Sequence, residues 1–117
     1  MGSRELRMTA PTRSVLEVFL HDPDAPRYGL EIGALAVLPS GTVHPILARL
    51  EGLGWLSSGW EDADPTVVGR PRRRFYQFTA AGVARAEAAV EVADARRSRL
   101  RDRRAVHQVP QVRPAQP

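Results

Sequence analysis

The 117-residue chain contains no cysteine and no lysine, and each absence narrows the range of functions. Without cysteine, a disulfide framework and thiolate zinc sites are both excluded. Without lysine, all 17 basic residues are arginines, and the planar guanidinium binds phosphate and guanine edges as a bidentate fork. A genome whose base composition favours arginine codons would produce the same bias. The net charge of +4 therefore permits nucleic-acid binding without requiring it.

Long apolar segments are missing as well. No stretch approaches the roughly 20 residues of a membrane span, and the N-terminus lacks the apolar core of a signal peptide. We therefore expect a soluble, cytoplasmic protein with no membrane partner. The length suits one domain with a modest core, and is too short for two.

The sequence also lacks the common signatures of an enzyme. No Gly-rich phosphate loop follows a strand pattern, and no G-x-S-x-G motif occurs. His21 lies near Asp22 and Asp24, but three such residues in a proline-rich loop are more typical of a solvated turn than of a metal site. His44 and His107 fall in other predicted elements, so the three histidines form no triad or ligand set. We predict no enzyme activity, no catalytic residues, no metal and no cofactor.

The segment from Ser40 to Gly54 has the clearest helical pattern. Ser40 is a favourable N-cap, because its hydroxyl can accept a hydrogen bond from an unpaired amide of the first turn. Apolar residues then recur at intervals of three and four, which predicts one buried stripe, while the small and polar opposite face suits approach to a DNA groove. The stripe consists of Val43, Ile46, Leu47, Leu50 and Leu53, and the opposite face of Gly41, Thr42, His44, Pro45, Ala48 and Arg49.

Two shorter helices are predicted ahead of this segment. The first extends from Thr12, which can cap it, to about Leu20. The second extends from Tyr28 to Val37 and ends before Pro39, because the residue preceding a proline is disfavoured in the helical region. A helix joined to the next by so short a turn forms a helix-turn-helix. The residues available for burial are Val15, Leu16, Phe19 and Leu20 in the first helix and Leu30, Ile32, Ala34 and Leu35 in the second.

After Gly54 the pattern changes from helical to alternating. Residues 55–60 and Arg74–Thr79 are predicted as two strands, with a loop at 61–71 between them. A hairpin that follows a helix-turn-helix is the wing of a winged helix. The wing carries four arginines with no local acid, a cluster that favours an anionic partner over a merely solvated surface. These arginines are Arg70, Arg72, Arg73 and Arg74.

A last helix is predicted from Ala80 to about Arg104, with Thr79 as its cap. Its seam of small and apolar residues is too thin to bury enough surface alone, so we expect it to pack on another helix in a homodimer. Residues 1–11 are expected to form a flexible N-terminal arm, and the proline-containing residues 105–117 a disordered tail. The seam consists of Val83, Ala86, Val90, Ala93 and Leu100.

These patterns together predict a mainly α-helical protein with a small β-wing, in which residues 12–79 form a winged helix-turn-helix and residues 80–104 a dimerisation helix. The motif residues also resemble a known family. The segments YGLEI, SGTVHPIL and GRPRRRFYQFT are similar, in their order and spacing, to the PadR-type transcriptional regulators. The single C-terminal helix resembles that of the shorter PadR subgroup. His44 departs from the family, which usually has a tyrosine at that position.

The resemblance implies a repressor that binds a palindromic operator in double-stranded DNA as a homodimer, and that a small-molecule effector or a stress signal often releases. It also implies DNA contacts from the recognition helix and the wing, and aromatic residues in an effector pocket. An alternative from the residues alone is a winged-helix module that binds an acidic protein without sequence-specific DNA binding. The tryptophans are also typical of core or sheet cover. The implied DNA contacts are Ser40, Thr42, His44, Arg49, Arg70, Arg72 and Arg73, and the candidates for effector binding are Trp55 and Trp60.

Overall fold

The computed structural model describes residues 6–107, which form five helices and a small sheet. The predicted fold class, mainly helical with a β-wing and a long last helix, is confirmed. The strands are β1 (Arg27–Tyr28), β2 (Leu56–Trp60) and β3 (Arg74–Phe78). The helices are α1 (Ala10–His21), α2 (Gly29–Ala36), α3 (Ser40–Gly52), the one-turn α4 (Pro65–Val68) and α5 (Ala80–His107).

One hydrophobic core joins the helices to the sheet. Phe19 of α1 is 1% exposed, and its ring centroid lies 5.4 Å from that of Phe78 in β3. Burial of a side chain of this size stabilises the fold by about 1.5–3 kcal/mol. Other members of the core are Val15, Leu16, Val18, Ile32, Val43, Leu47, Leu50, Trp55, Leu56, Tyr76 and Ala86.

The first helix begins two residues earlier than predicted, and its cap is Thr9 rather than Thr12. The Thr9 hydroxyl accepts a hydrogen bond from the Thr12 amide at 3.2 Å, and Pro11 in the first turn has a backbone φ that already suits a helix. Thr12 is buried inside the helix, where it contributes to the core. Leu6 and Met8, which belong to the predicted flexible arm, are partly buried against the core.

The second helix is shorter than predicted, and Ile32 is the one buried residue within it. Leu30, Ala34 and Leu35 were predicted to be available for burial, but all three are exposed, Leu30 by 82%. The helix ends at Ala36 and is followed by the C-cap residue Val37, which has the left-handed backbone (φ 56°) that β-branched residues rarely adopt. The apolar sequence of α2 therefore predicted more burial than the structure shows, because an eight-residue helix that packs along one side has few positions facing the core.

The turn after Val37 directs α3 away from α2 by 113°, an angle typical of a helix-turn-helix. The predicted stripe is confirmed, since Val43, Leu47 and Leu50 are buried and Ile46 and Leu53 are partly buried. Ser40 does not act as the cap. Pro39 occupies the cap position without a side-chain hydrogen bond, and Ser40 is the first residue of the helix itself.

The sheet has three antiparallel strands, in the order β1-β3-β2, and not the two that were predicted. The predicted wing strands are confirmed, and Leu56 pairs with Phe78 while Trp60 pairs with Arg74. The missed strand, β1, has two residues that pair with β3 and lie immediately before α2. Two residues are too few to give an alternating pattern, so sequence periodicity could not reveal it. The short helix α4 within the predicted loop was missed for the same reason.

The long helix α5 is attached to the body through its N-terminal end. The predicted cap is confirmed, because the Thr79 hydroxyl accepts a hydrogen bond from the Gly82 amide at 2.9 Å. Asp94 forms an ion pair with Arg13 of α1, and hydrogen bonding from that guanidinium holds the pKa of the carboxyl below its ordinary value. Of the predicted seam, Ala86 is buried and Leu100 is 51% exposed, so residues 6–107 leave the outer part of the seam uncovered.

The C-terminal helix continues to His107, three residues beyond the predicted end. The remainder of the predicted tail, residues 108–117, and the first five residues of the predicted arm lie outside the described part of the chain.

Between residues 6 and 107, no single helix has the length and apolar character needed to cross a membrane. Helices α2 and α3 have that length and apolar character only when they are taken as a pair, and a bend of 113° separates them.

Gly82 allows the start of α5 to lie directly against the backbone at Trp55. A Cβ placed on Gly82 would overlap the Trp55 carbonyl oxygen and lie 2.7 Å from its carbonyl carbon. We predict that Gly82→Ala lowers the free energy of unfolding by about 1–3 kcal/mol in urea denaturation. Gly52→Ala is the matched control, because nothing lies within 4 Å of that position and the change should be neutral or slightly stabilising. Equal stability of the two variants would contradict this reading of Gly82.

Candidate nucleic-acid interface

One side of α3 is uncovered. Because the stripe is buried against α1 and α2, the opposite side of α3 faces outward. The side chains on that side form no hydrogen bond or ion pair within the described residues. Thr42 is half-buried at the margin of this side. The exposed members are Ser40, Gly41, His44, Pro45, Ala48 and Arg49. Four of the predicted contacts, Ser40, Thr42, His44 and Arg49, therefore lie on one helix surface.

His44 lies beside the first turn of α2. A Cβ placed on Gly29 would lie 3.6 Å from His44 Cε1, which is an ordinary van der Waals distance. The imidazole is exposed and stands where the two helices of the helix-turn-helix come together. A side chain at this position can reach a ligand that contacts both helices.

The wing is organised around Glu61, a carboxylate that is only 8% exposed. Both of its oxygens accept hydrogen bonds from the Arg70 guanidinium, which approaches as a two-pronged fork. Arg73 donates to the same carboxylate from its backbone amide at 2.9 Å and from Nε at 3.3 Å. The hydrogen bond from Arg70 is the main reason why the pKa of Glu61 falls from 4.5 to about 2. We call Glu61, Arg70 and Arg73 the wing clasp.

The clasp also touches the helix-turn-helix. The Arg73 guanidinium carbon lies 4.1 Å from the centre of the Tyr28 ring, which is a cation–π contact. Tyr28 belongs to β1 and is the residue from which α2 begins. The same arginine therefore joins the wing to the first helix of the motif.

A second carboxylate, Glu51, connects the wing to the end of α3. Arg74 donates to Glu51 at 3.3 Å and to the Ser58 hydroxyl at 2.7 Å, and that hydroxyl donates to Glu51 at 2.6 Å. These bonds link the last turn of α3 to both wing strands. The wing is thus held at a defined position relative to the exposed side of α3.

Arg72 differs from the other three arginines of the wing. Its Nε donates to the Ala63 carbonyl at 3.0 Å, and within residues 6–107 it has no carboxylate partner. It lies at the edge of a shallow depression formed with Trp60, Pro65 and Pro71. The two terminal amino groups of this guanidinium remain available to an anion.

The two tryptophans lie in separate places. Trp55 is buried, and one edge of it lines a groove of about 1510 Å³ between the N-terminal segment, α1 and α5. Trp60 is 61% exposed and belongs to the wing depression. The structure therefore does not bring the two predicted effector residues into one site. No cluster of metal-binding side chains occurs in the part of the chain that the structure describes.

Comparison with known proteins is informative once this geometry is known. Residues 16–88, more than half of the chain, match the sequence profile of the transcriptional regulator PadR-like family. The chain belongs to the PadR-like family of transcriptional regulators. None of the curated protein sequences is similar enough to count as a relative of this family member.

Several solved structures share the fold of this PadR-like chain. A transcriptional regulator homologue from Pyrococcus horikoshii OT3 is 19% identical, with a TM-score of 0.60 over 77% of this chain and 83% of its own. Overoxidised AbfR bound to DNA is 25% identical (TM-score 0.59, 75% of this chain and 59% of its own). Bordetella bronchiseptica BpsR, whose DNA binding is regulated by 6-hydroxynicotinic acid, is 21% identical (TM-score 0.59, 76% and 58%). This chain spans about three fifths of the AbfR and BpsR chains.

Sequence reasoning located the arginines of the wing but was wrong about their surroundings. We inferred that the cluster has no local acid, whereas Glu61 and Glu51 hold three of the four guanidinium groups. Glu61 precedes its partners Arg70 and Arg73 by 9 and 12 positions, and Glu51 precedes Arg74 by 23. No short-range charge pattern signals such pairs. The position of Glu61 directly after an alternating strand was the one available hint.

The depressed pKa of Glu61 makes a prediction about acid stability. Because the folded pKa of about 2 lies below the unfolded value of 4.5, the clasp stabilises the fold fully above pH 4.5. This stabilisation is lost as the pH falls from 4.5 towards 2, since the unfolded chain takes up the proton first. Glu61→Gln should remove that part of the pH dependence in urea unfolding between pH 2 and 6.

The exposed neighbour Asp62, changed to Asn, is the matched control for this experiment. The Asp62→Asn variant should lose about as much stability on acidification as the wild type does. Parallel curves for Glu61→Gln and the wild type would show that the clasp does not stabilise the fold.

Proposed function

We propose that this PadR-like protein is a repressor that binds a palindromic DNA operator as a homodimer. The uncovered side of α3 enters the major groove, and the wing contacts the adjacent backbone or minor groove. Ser40, Thr42, His44 and Arg49 are the proposed contacts on the helix, and the basic wing supplies a further contact. We place this activity in the cytoplasm, with the DNA.

The observation that carries the proposal is the exposed side of α3 next to a wing that is fixed in position. A side with small residues at Gly41, Pro45 and Ala48 allows close approach of the backbone to a groove. Arg49 at its end has no intramolecular partner within the described residues, so its guanidinium is available to a base edge or phosphate. Membership in a family of transcriptional regulators and the likeness to DNA-bound AbfR support the same function.

The identity of the operator and the role of α3 can be tested together. We expect that sequencing the fragments which the purified protein retains from sheared genomic DNA will show an inverted repeat. Arg49→Ala should weaken binding to that fragment by about 1–3 kcal/mol in fluorescence anisotropy, which is roughly 5- to 150-fold in affinity.

The control is Arg99→Ala, which removes the same charge from an exposed position on α5. It should change the affinity much less. If no sequence is enriched and both variants behave as the wild type, the winged helix is an interaction module for a protein and the proposal is wrong.

The proposed homodimer would cover the groove beside α5. Its apolar lining includes Leu53, Val92 and Leu100, and Val92 and Leu100 are more than half exposed in the single chain. A long helix with exposed apolar residues needs a partner, because a helix of this composition gains little stability in isolation. A second copy of α5 offers a surface of the same kind, and a closed two-fold dimer matches the two halves of a palindrome.

We predict a dimer at micromolar concentration in multi-angle light scattering. Val92→Glu should shift the protein to a monomer, because it places a charge in the proposed interface. Val67→Glu introduces the same charge at an even more exposed valine on α4, outside the groove, and should leave the dimer intact. A monomeric wild type, or equal effects of the two variants, would exclude this interface.

A small-molecule effector is proposed for the same groove, with Trp55 as the aromatic contact. Arginines line this groove, and no carboxylate does so among the described residues, which favours an anionic ligand. In Trp60→Phe, where Trp55 is the remaining fluorophore, benzoate as a probe should quench the fluorescence in a saturable way. Quenching that disappears in Trp60→Phe and persists in Trp55→Phe would place the ligand on the wing instead. The lining arginines are Arg7, Arg13, Arg85, Arg96 and Arg97.

A further inference from the structure

The wing sequence presents four arginines within five positions, yet they do not have equal access to a ligand. Arg70 and Arg73 share the buried Glu61 carboxylate, and Arg74 is bound by Glu51 and Ser58. Each of these three guanidinium groups has a carboxylate beside it, and Glu61, which serves two of them, is only 8% exposed. The negative charge of that carboxylate offsets the attraction of the guanidinium for a phosphate.

Arg72 is oriented differently, and the clasp is the reason. Arg70 and Arg73 flank it on both sides in the sequence, and both point inward to Glu61. Arg72 is exposed, and its guanidinium has no carboxylate partner within residues 6–107. The hydrogen bond from Arg72 Nε to the Ala63 carbonyl fixes one edge of the guanidinium, and Pro71 restricts the backbone before Arg72.

We propose that Glu61 is a positioning residue that pairs with Arg70 and Arg73 internally, so that Arg72, the wing arginine without a carboxylate partner among the described residues, is the one that binds a DNA phosphate. This inference rests on the proposed DNA binding and specifies which part of the wing carries it. The partner is the phosphate backbone of double-stranded DNA. In this proposal Arg70 and Arg73 stabilise the folded wing and do not bind the DNA phosphate.

The dependence of DNA affinity on salt distinguishes these roles. Each phosphate contact contributes about 0.9 to the slope of log K against log salt concentration. Arg72→Ala should reduce the slope by about 0.9 for each wing bound, and Arg72→Lys should restore it, because a lysine is also a phosphate-binding cation. Arg70→Ala and Arg73→Ala should leave the slope unchanged while they lower the thermal midpoint.

Glu61→Gln is the decisive variant. It frees Arg70 and Arg73 from their carboxylate, so the slope should become steeper than that of the wild type, with the helical circular dichroism retained. An unchanged slope would overturn the proposal. If this variant does not fold, the single arginine variants still decide the question, since a loss of slope in Arg70→Ala or Arg73→Ala as large as in Arg72→Ala would also overturn it.

A second readout separates the clasp from the proposed function. Phenylglyoxal modifies unpaired guanidinium groups, and mass spectrometry of peptides from the DNA-free protein can compare the wing arginines. Arg72 should be modified faster than Arg70 and Arg73 in the wild type, and this difference should disappear in Glu61→Gln. Equal rates in the wild type would refute the clasp whether or not the protein binds DNA. Failure to bind DNA together with a protected Arg70 and Arg73 would instead refute the proposed function.

Discussion

The structure depends on the burial of one side of α3 against α1 and α2. Val43, Leu47 and Leu50 are at most 1% exposed, and burying three such side chains contributes roughly 5–9 kcal/mol before the entropy of ordering is counted. The same contacts determine which residues of α3 face outward. A change in the rotation of this helix would remove its apolar stripe from the core, so the orientation of the candidate DNA-binding side is set by the hydrophobic effect.

A different interaction determines the shape of the wing. A loop with four arginines would repel itself if the guanidinium groups had no partners. Glu61 and Glu51 offset part of this repulsion. Glu51 also joins the wing to the end of α3, and the contact of Arg73 with Tyr28 joins it to β1. The basic sequence of the wing is therefore largely an internal network, and the part that can act on another molecule is smaller than the number of arginines suggests. Charge counted in a sequence and charge available on a surface are different quantities.

The features that could be predicted from the sequence are those encoded by neighbouring residues. The stripe of α3, the alternation of β2 and β3 and the Thr79 cap each depend on spacings of two to four positions, and the structure confirms them. The predicted caps of α1 and α3 were wrong by three residues and by one, because a hydroxyl near a helix start does not determine the residue at which the folded backbone becomes helical. The exposed side of α3 could be predicted as the face opposite the stripe, since a helix places opposite faces by its period alone.

The sequence by itself determined the order of the elements, the buried side of α3 and the resemblance to a family, because these follow from local periodicity and from short motifs. Only the tertiary structure decided that Leu30 stays exposed, that Tyr28 forms a strand, and that Glu61 binds Arg70 and Arg73. Each of these depends on segments that are distant along the chain and meet only after folding. No pattern of neighbouring residues specifies which carboxylate a guanidinium will find, because that pairing is selected by the packing that brings the strands and helices together.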